Sequence, residues 1–158
     1  MKYIIVFLFL LFFKVCPAQT VAYHYQTPKF DVAIFPKDFP DYMKIFLTAY
    51  TPTTVEVDSM ELALYKYLRR IRRKLKSNSS QINVYKNFKN YRRQYFGYKN
   101  DAGEKLLFIN SYNPKDSSFT FDWLNTQVVV ADGGSTYWNV HYNYTKRAFY
   151  KISINGSG

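Results

Sequence analysis

The fold prediction starts from residues 126–144, which read TQVVVADGGSTYWNVHYNY. Two runs rich in β-branched and aromatic residues flank the pair Gly133-Gly134, and a glycine pair in this position is among the strongest short-range signals of a β-hairpin. A two-residue loop would place Val129 opposite Trp138. The sequence therefore predicts a hairpin here, and we expect the rest of the chain to be organised around it.

A second hairpin is predicted upstream of the first. Residues 91–99 and 104–112 are rich in aromatic and aliphatic side chains, and they flank a turn at 100–103 that reads NDAG. If the loop has four residues, Lys99 faces Glu104, which is a favourable pair of opposite charges.

A third hairpin is predicted at the end of the chain, with a three-residue loop at 145–147. This loop would place Tyr142 opposite Tyr150 and Val140 opposite Ile152. Strand alternation then predicts one apolar face, made of Trp138, Val140, Tyr142, Tyr144, Tyr150, Ile152 and Ile154. The opposite face is predicted to carry Asn139, His141, Asn143, Lys151 and Ser153.

One long helix is predicted over residues 54–76. Thr53 and Glu56 have the spacing of a capping box, and Pro52 precedes them. Steps of three and four residues draw an apolar stripe through Val57, Met60, Leu64, Tyr67, Leu68, Ile71 and Leu75. We expect the stripe to pack on the apolar face of the sheet. The predicted fold class is α+β, with one long amphipathic helix on a four- to five-stranded antiparallel sheet.

The chain is predicted to begin with a secretory signal peptide at residues 1–18. A lysine precedes eleven uninterrupted apolar residues, and Cys16-Pro17-Ala18 resembles a cleavage site. The apolar run is too short for a membrane span, which needs about 20 residues, and the residues before Cys16 are a poor context for a lipid anchor. We therefore predict a secreted or periplasmic protein with no transmembrane anchor after cleavage.

The mature chain is predicted to have one domain. Residues 19–40 contain three prolines and are expected to form an extended lead-in, with a short edge strand at 30–35. Residues 41–158 would form the single α+β domain. The only cysteine would leave with the signal, so disulfides, thiol catalysis and cysteine metal sites are excluded from the mature chain.

Positive charge is the strongest functional signal. The chain has 22 lysines and arginines, of which Lys2 and Lys14 lie in the predicted signal, and the remaining 20 exceed the 11 acidic side chains by nine. Such an excess favours anionic partners such as acidic glycans, lipopolysaccharide or nucleic acid. The alternative is a solvated helix face that serves solubility. The candidate polyanion-binding residues are Arg69, Arg70, Arg72, Arg73 and Lys74. Aromatic residues at 85, 88, 91 and 95 alternate with further cations, which is a pattern typical of single-stranded nucleic-acid binding.

Catalytic and metal-binding signals are weak. His24 and His141 are the only histidines and lie far apart in the sequence, so we predict no metal site and no cofactor. The chain has no Gly-x-Ser-x-Gly motif, and its carboxylates Glu56 and Glu104 are explained by the helix cap and the hairpin. The sequence thus favours a non-enzymatic binding or inhibitor-like module with a macromolecular partner at the cell envelope or outside the cell. Its candidate binding residues are Arg93, Asn110, Asn139 and His141, predicted to share the polar side of the sheet, and Tyr95, predicted to lie beside them.

The chain also resembles a group of short secreted bacterial proteins without a known activity. The motifs that carry the resemblance are TPT at 51–53, YRRQYFGY at 91–98, GEK at 103–105, IN at 109–110, DGGSTYWNV at 132–140 and NG at 155–156. The resemblance spans about residues 48–156 and implies that these motifs belong to one domain. It places Arg93, Gln94, Tyr95, Asn110, Asp132, Gly133, Gly134 and Asn139 at motif positions. Ser135 departs from the group, in which asparagine is expected more often.

Overall fold

The computed structural model describes residues 21–40, 48–74, 79–115 and 120–156. The predicted signal peptide lies outside these residues. The strands are β1 (Tyr23–Gln26), β2 (Asp31–Ile34), β3 (Thr48–Tyr50), β4 (Arg92–Lys99), β5 (Lys105–Tyr112), β6 (Tyr137–Asn143) and β7 (Ala148–Ile154). The helices are α1 (Thr54–Lys74) and α2 (Ser79–Lys86), with short 3-10 turns at Phe88–Asn90 and Gly134–Thr136.

The seven strands form one sheet in the order β1-β2-β4-β5-β6-β7, and β3 pairs with the second half of β4. All pairs are antiparallel except β2 with β4. The α+β class with one main helix is therefore confirmed, while the sheet has more strands than the four to five predicted. The additional strands are short, and three to four residues are too few to show a clear period.

The strand expected at the edge of the sheet lies in its interior. Residues 31–34 form β2, which has β1 on one side and β4 on the other. Val32, Ala33 and Ile34 are all buried. Both faces of this part of the sheet are covered, so the strand is a continuous apolar run instead of an alternating one.

Helix α1 begins at the predicted capping box. The Thr53 N–H donates a hydrogen bond to Glu56 Oε2 (2.9 Å), and the Glu56 N–H donates one to Thr53 Oγ1 (3.2 Å). Four residues of the predicted stripe are at most 3% exposed and pack in one cluster with side chains of β4, β5 and β6. These four are Val57, Met60, Leu64 and Leu68. Leu75 lies outside the described residues.

The other face of the sheet is also covered, by irregular chain instead of a helix. Phe35, Phe96 and Phe108 form a second buried cluster on this outer face. Trp123 and Val128 cover them from the segment 120–132, which we call the strap. The strap belongs to no strand apart from the bridge that Asp132 makes with Gly156. The sheet is thus the middle layer between helix and strap.

The predicted hairpin around Gly133-Gly134 is wrong. Strand β6 already pairs with β5 on one side and β7 on the other, so its neighbouring positions in the sheet are taken. The two glycines have φ of 107° and 53° and lead into the 3-10 turn before β6. The residues before them form the strap, and the glycines act as a corner between two layers.

The other two hairpins exist with altered registers. Lys99 faces Lys105 instead of Glu104, because the loop has five residues and Asn100 Oδ1 accepts a hydrogen bond from the Glu104 N–H. In the β6–β7 hairpin, Tyr142 faces Phe149 instead of Tyr150.

A bulge in β7 explains the second of these differences. The β6–β7 register shifts between Asn139 and His141, and Lys151 has a φ of 56°. Beyond the bulge, Trp138 faces Ile154 in the predicted register. Before it, the register differs by one residue, so Tyr150 lies beside His141 on the outer face instead of on the predicted apolar face.

Candidate functional site

A cleft between α1 and α2 brings together arginines and tyrosines. Its volume is about 580 Å³, and it is lined by Tyr65, Arg69, Arg72 and Tyr85. The two tyrosine hydroxyl oxygens are 3.4 Å apart, and the rings stack with centroids separated by 5.9 Å. The guanidinium carbon of Arg72 lies 4.9 Å from the centroid of the Tyr85 ring. We call this place the Arg–Tyr cleft.

The helical period positions the α1 side of the cleft. Tyr65, Arg69 and Arg72 follow one another at steps of four and three residues, so they lie on one face of the helix, off the buried stripe. The α2 side is fixed by buried anchors, because Val84 and Phe88 belong to the main core and flank Tyr85.

The electrostatics of the Arg–Tyr cleft are positive. The hydrogen bond between the two hydroxyl groups, together with the nearby Arg72 and Arg69, lowers the pKa of Tyr85. The same hydrogen bond raises the pKa of Tyr65. Among the residues that the structure describes, the ion pairs involve Asp31, Glu56, Glu61 and Glu104, and none includes an arginine of the cleft. The cleft therefore carries uncompensated positive charge.

The predicted polyanion residues separate into three groups. Arg69 and Arg72 line the cleft, while Arg70 lies on another side of α1, with its guanidinium carbon 5.8 Å from the centroid of the Tyr67 ring. All three are exposed. Arg73 and Lys74 form the end of α1, and their side chains lie outside the described set.

Two of the candidate binding residues, Arg93 and Tyr95, lie on the side of the sheet opposite Asn110 and are fully buried beneath α1. The Arg93 Nε–H donates to Glu61 Oε1 (2.6 Å), and the Tyr95 hydroxyl donates to the same oxygen (2.6 Å). Arg93 Nη1 also donates to the carbonyl oxygens of Phe88 and Tyr91. The prediction that Arg93 shares a face with Asn110, with Tyr95 beside it, is therefore wrong.

Arg93 and Tyr95 are each held in one charge state. Burial lowers the pKa of Arg93, but Glu61 and the Tyr95 hydroxyl outweigh it, so the pKa is raised overall. Burial and the Glu61 carboxylate raise the pKa of Tyr95 well above its ordinary value. We conclude that Arg93 stays charged and Tyr95 stays neutral, and that both are part of the core.

Asn110 does lie on the outer face, where it holds the strap. Its Nδ2 donates to the carbonyl oxygen of Val128 (2.6 Å) and to Gln94 Oε1 (3.0 Å). Gln94 in turn accepts from the Val128 N–H and donates to the carbonyl oxygens of Trp123 and Thr126. These two amides satisfy backbone groups that have no partner strand, which explains why polar side chains are found in the middle of β4 and β5.

Asn139 lies next to Asn110 and has a different environment. It lines a cleft of about 110 Å³ on the outer face, together with Gln127 and Asn155. Asn155 Nδ2 donates to the Val130 carbonyl oxygen. In the described part of the chain, the Asn139 side chain has no hydrogen-bond partner. Of the five candidate binding residues on the sheet, Asn139 is therefore the one whose side chain has no partner among the described residues.

His141 is packed among aromatic rings. Its Nδ1 lies 2.8 Å from the Tyr98 hydroxyl oxygen, which is 3.0 Å from the Tyr150 hydroxyl oxygen. Its ring centroid lies 5.0 Å from that of Phe108. Burial, aided by the charge of Lys151, lowers the pKa of His141 to about 4. The ring is therefore neutral at physiological pH and acts as a packing and hydrogen-bonding group.

Sequence reasoning missed Tyr65 as a site residue and Glu61 as the partner of Arg93. The first has a local signal, because its steps of four and three residues to Arg69 and Arg72 place it on their face of the helix. The second pair is separated by 32 positions in the sequence. It depends on how α1 crosses β4, and no local pattern encodes that.

The described residues contain neither a cluster of metal ligands nor a membrane-spanning helix. No three His, Cys, Asp or Glu side chains lie close enough together to hold a metal ion. The helices in these ranges lack the length and apolar character that a bilayer span requires.

Comparison with known proteins gave no relatives. No family model, no curated protein and no solved structure matches the chain significantly. The resemblance to short secreted bacterial proteins therefore stays a prediction.

Proposed function

We propose that the protein is a secreted, non-enzymatic binding module that attaches to an anionic polymer through the C-terminal end of α1. The observation that carries the proposal is that three exposed arginines of α1 lack acidic partners. Arg69, Arg70 and Arg72 have no carboxylate partner in the described chain, and the carboxylates that form ion pairs there are bound to other cations. Unpaired surface cations attract polyanions and release their counterions.

The salt dependence of binding tests this function. The mature chain, residues 19–158, is titrated with dextran sulfate over a range of salt concentrations, and affinity should fall steeply as salt rises. The triple substitution Arg69→Gln/Arg70→Gln/Arg72→Gln should flatten the slope of log affinity against log salt by about two to three, because each lost contact releases about one counterion fewer.

A matched control has the same change in net charge. Lys29, Lys37 and Lys115 are exposed and take part in no ion pair among the described residues. Replacing all three by glutamine should leave affinity within about twofold if the site is local. Equal losses in both triple variants would mean that only net charge matters. Failure of the wild-type chain to bind at low salt would refute the function.

A second candidate function is recognition of a macromolecular partner on the outer face, as in an inhibitor-like module. It is favoured by the unpaired amide of Asn139 in the smaller cleft and by Val129, which is 77% exposed beside it. Asn139→Ala should then abolish capture of an uncharged partner at high salt without changing the melting temperature. His141 is unsuitable for this test because it is packed in the fold.

A further inference from the structure

The rings of the Arg–Tyr cleft are engaged by their neighbours. Tyr65 stacks with Tyr85 and also contacts Phe88, at a centroid distance of 5.7 Å. Arg72 lies over the Tyr85 ring. A nucleic-acid base would need an open ring face for stacking. The other aromatic residues of the basic stretch, Phe88, Tyr91 and Tyr95, are buried. The polar groups of the cleft, and not its ring faces, are therefore what a ligand meets.

These polar groups are all suited to an oxyanion. Guanidinium groups donate pairs of parallel hydrogen bonds to phosphate, sulfate and carboxylate oxygens. Tyr65 and Tyr85 add two hydroxyl groups, and both can donate to a ligand that replaces their mutual 3.4 Å hydrogen bond. A phosphate or sulfate ester offers three terminal oxygens, whereas a carboxylate offers two. Four convergent donor groups match the larger set of oxygens better.

We infer, on the basis of the proposed function, that the Arg–Tyr cleft binds a phosphate or sulfate ester group through the guanidinium groups of Arg69 and Arg72 and the hydroxyl groups of Tyr65 and Tyr85. The proposed function requires only cations at the end of α1. Ester binding in the Arg–Tyr cleft requires more, namely a defined site that prefers tetrahedral anions over carboxylates.

The size of the cleft indicates that the ester belongs to a larger molecule. Its volume of about 580 Å³ lies within the range of about 300–1,000 Å³ that is typical of pockets for drug-sized ligands. A free phosphate ion would occupy only a small part of it. A sugar or lipid headgroup that carries the ester would fill more of the space and contact the tyrosine edges.

The experiment compares anions on a common carrier. Dextran sulfate and carboxymethyl dextran of equal charge density are titrated into the mature chain at near-physiological salt. Inorganic phosphate and vesicles that contain phosphatidic acid are separate arms, which distinguish a free ion and a lipid source from a polymer source. We expect at least about tenfold tighter binding of the sulfate polymer, equivalent to about 1.4 kcal/mol.

Substitutions distinguish binding by the residues of the cleft from attraction by the net positive charge. Tyr65→Phe/Tyr85→Phe keeps the rings and the net charge but removes both hydroxyl groups, and it should reduce the preference for sulfate over carboxylate to about threefold or less. Lys66→Gln is the matched control for Arg72→Gln, because both remove one charge from exposed positions of α1 but only Arg72 lines the cleft. Arg72→Gln should weaken binding about tenfold, and Lys66→Gln about twofold or less. Circular dichroism and thermal melting verify that each variant is folded.

The results distinguish the defined site in the Arg–Tyr cleft from the more general polyanion-binding function. An unchanged preference in the double phenylalanine variant, or equal losses for Lys66→Gln and Arg72→Gln, would overturn the defined site while leaving the polyanion function intact. No sulfate preference in the wild-type chain would do the same. Loss of all polymer binding in the wild-type chain would refute the proposed function itself.

Discussion

Arg93 on β4 and Arg72 on α1 show two uses of the same side chain. Arg93 is fully buried, and its Nε lies 2.6 Å from Glu61 Oε1. Arg72 is exposed, lines the Arg–Tyr cleft and has no carboxylate partner in the described residues. The sequence made both of them candidate binding residues, Arg72 at the basic end of the helix and Arg93 on the polar side of the sheet. Burial and partner, and not charge density, decide which arginine is available to a ligand.

Two further ion pairs are intermediate in exposure between buried Arg93 and exposed Arg72. Glu56 is 8% exposed and its partner Lys105 is 45% exposed, while Glu104 and Lys146 are 16% and 65% exposed. An ion pair contributes little at the surface, whereas breaking a buried one leaves a charge without solvent or partner. We therefore expect the cost of removing one partner to fall steadily along this series.

The largest effect is expected at the buried pair. Arg93→Met leaves the Glu61 carboxylate buried without its cation and should lower the free energy of unfolding by about 3–5 kcal/mol. Glu61→Leu combined with Arg93→Met removes both charges and should recover part of that loss. Urea denaturation of both variants measures the two values. A double variant as unstable as the single one would show that the unpaired charge is not the cause.

A smaller effect is expected at the helix cap. Glu56→Ala removes the hydrogen bond to the Thr53 N–H and the ion pair with Lys105, and it should cost about 1–2 kcal/mol. Lys105→Met breaks only the half-exposed pair and should cost less.

The cap should also respond to acid. Burial raises the pKa of Glu56, but the hydrogen bond from Thr53 and the charge of Lys105 outweigh it, so the pKa lies below the ordinary value of 4.5. Its stabilisation is then present above pH 4.5 and is lost as the pH falls through the folded-state pKa. The gap between wild type and Glu56→Ala should close in acid. A constant gap would mean that the carboxylate charge is irrelevant.

His141 provides a test of a group that the fold keeps neutral. Its pKa is lowered from 6.5 to about 4, so between these values the unfolded chain binds a proton that the native chain does not. Stability contributed by this difference is present above pH 6.5 and lost as the pH falls towards 4. The advantage of wild type over His141→Gln should shrink by about 1–2 kcal/mol across this range, because partial exposure reduces the full effect. Thermal melts of both proteins at several pH values give the result, and parallel pH profiles would contradict it.

The smallest effect on stability is expected at Lys146. Lys146→Gln breaks an exposed pair with Glu104 and should change the free energy of unfolding by about 0.5 kcal/mol or less, and by even less at high salt. Chemical denaturation at low and high salt measures the change. A loss comparable to that of Arg93→Met would contradict the ranking by burial.

Local sequence patterns predict the structure correctly where the signal lies in neighbouring residues. The Thr53–Glu56 box placed the start of α1, and the step of three and four residues from Val57 to Leu68 gave its buried face. They give a wrong prediction where contacts with distant parts of the chain determine the conformation of a segment. The Gly133-Gly134 hairpin was a sound local prediction, but β6 already has strands on both sides and the preceding residues are held by Gln94 and Asn110 instead.

The sequence by itself determined the α+β class, the position of the main helix and the excess of positive charge, because these follow from period, capping and composition. Tertiary structure alone decided that Arg93 and Tyr95 are core residues bound to Glu61. It also decided that Tyr65 and Tyr85, 20 positions apart, meet beside Arg69 and Arg72. The reason is physical: burial and pairing depend on which distant segments pack together, and that is set by the fold as a whole.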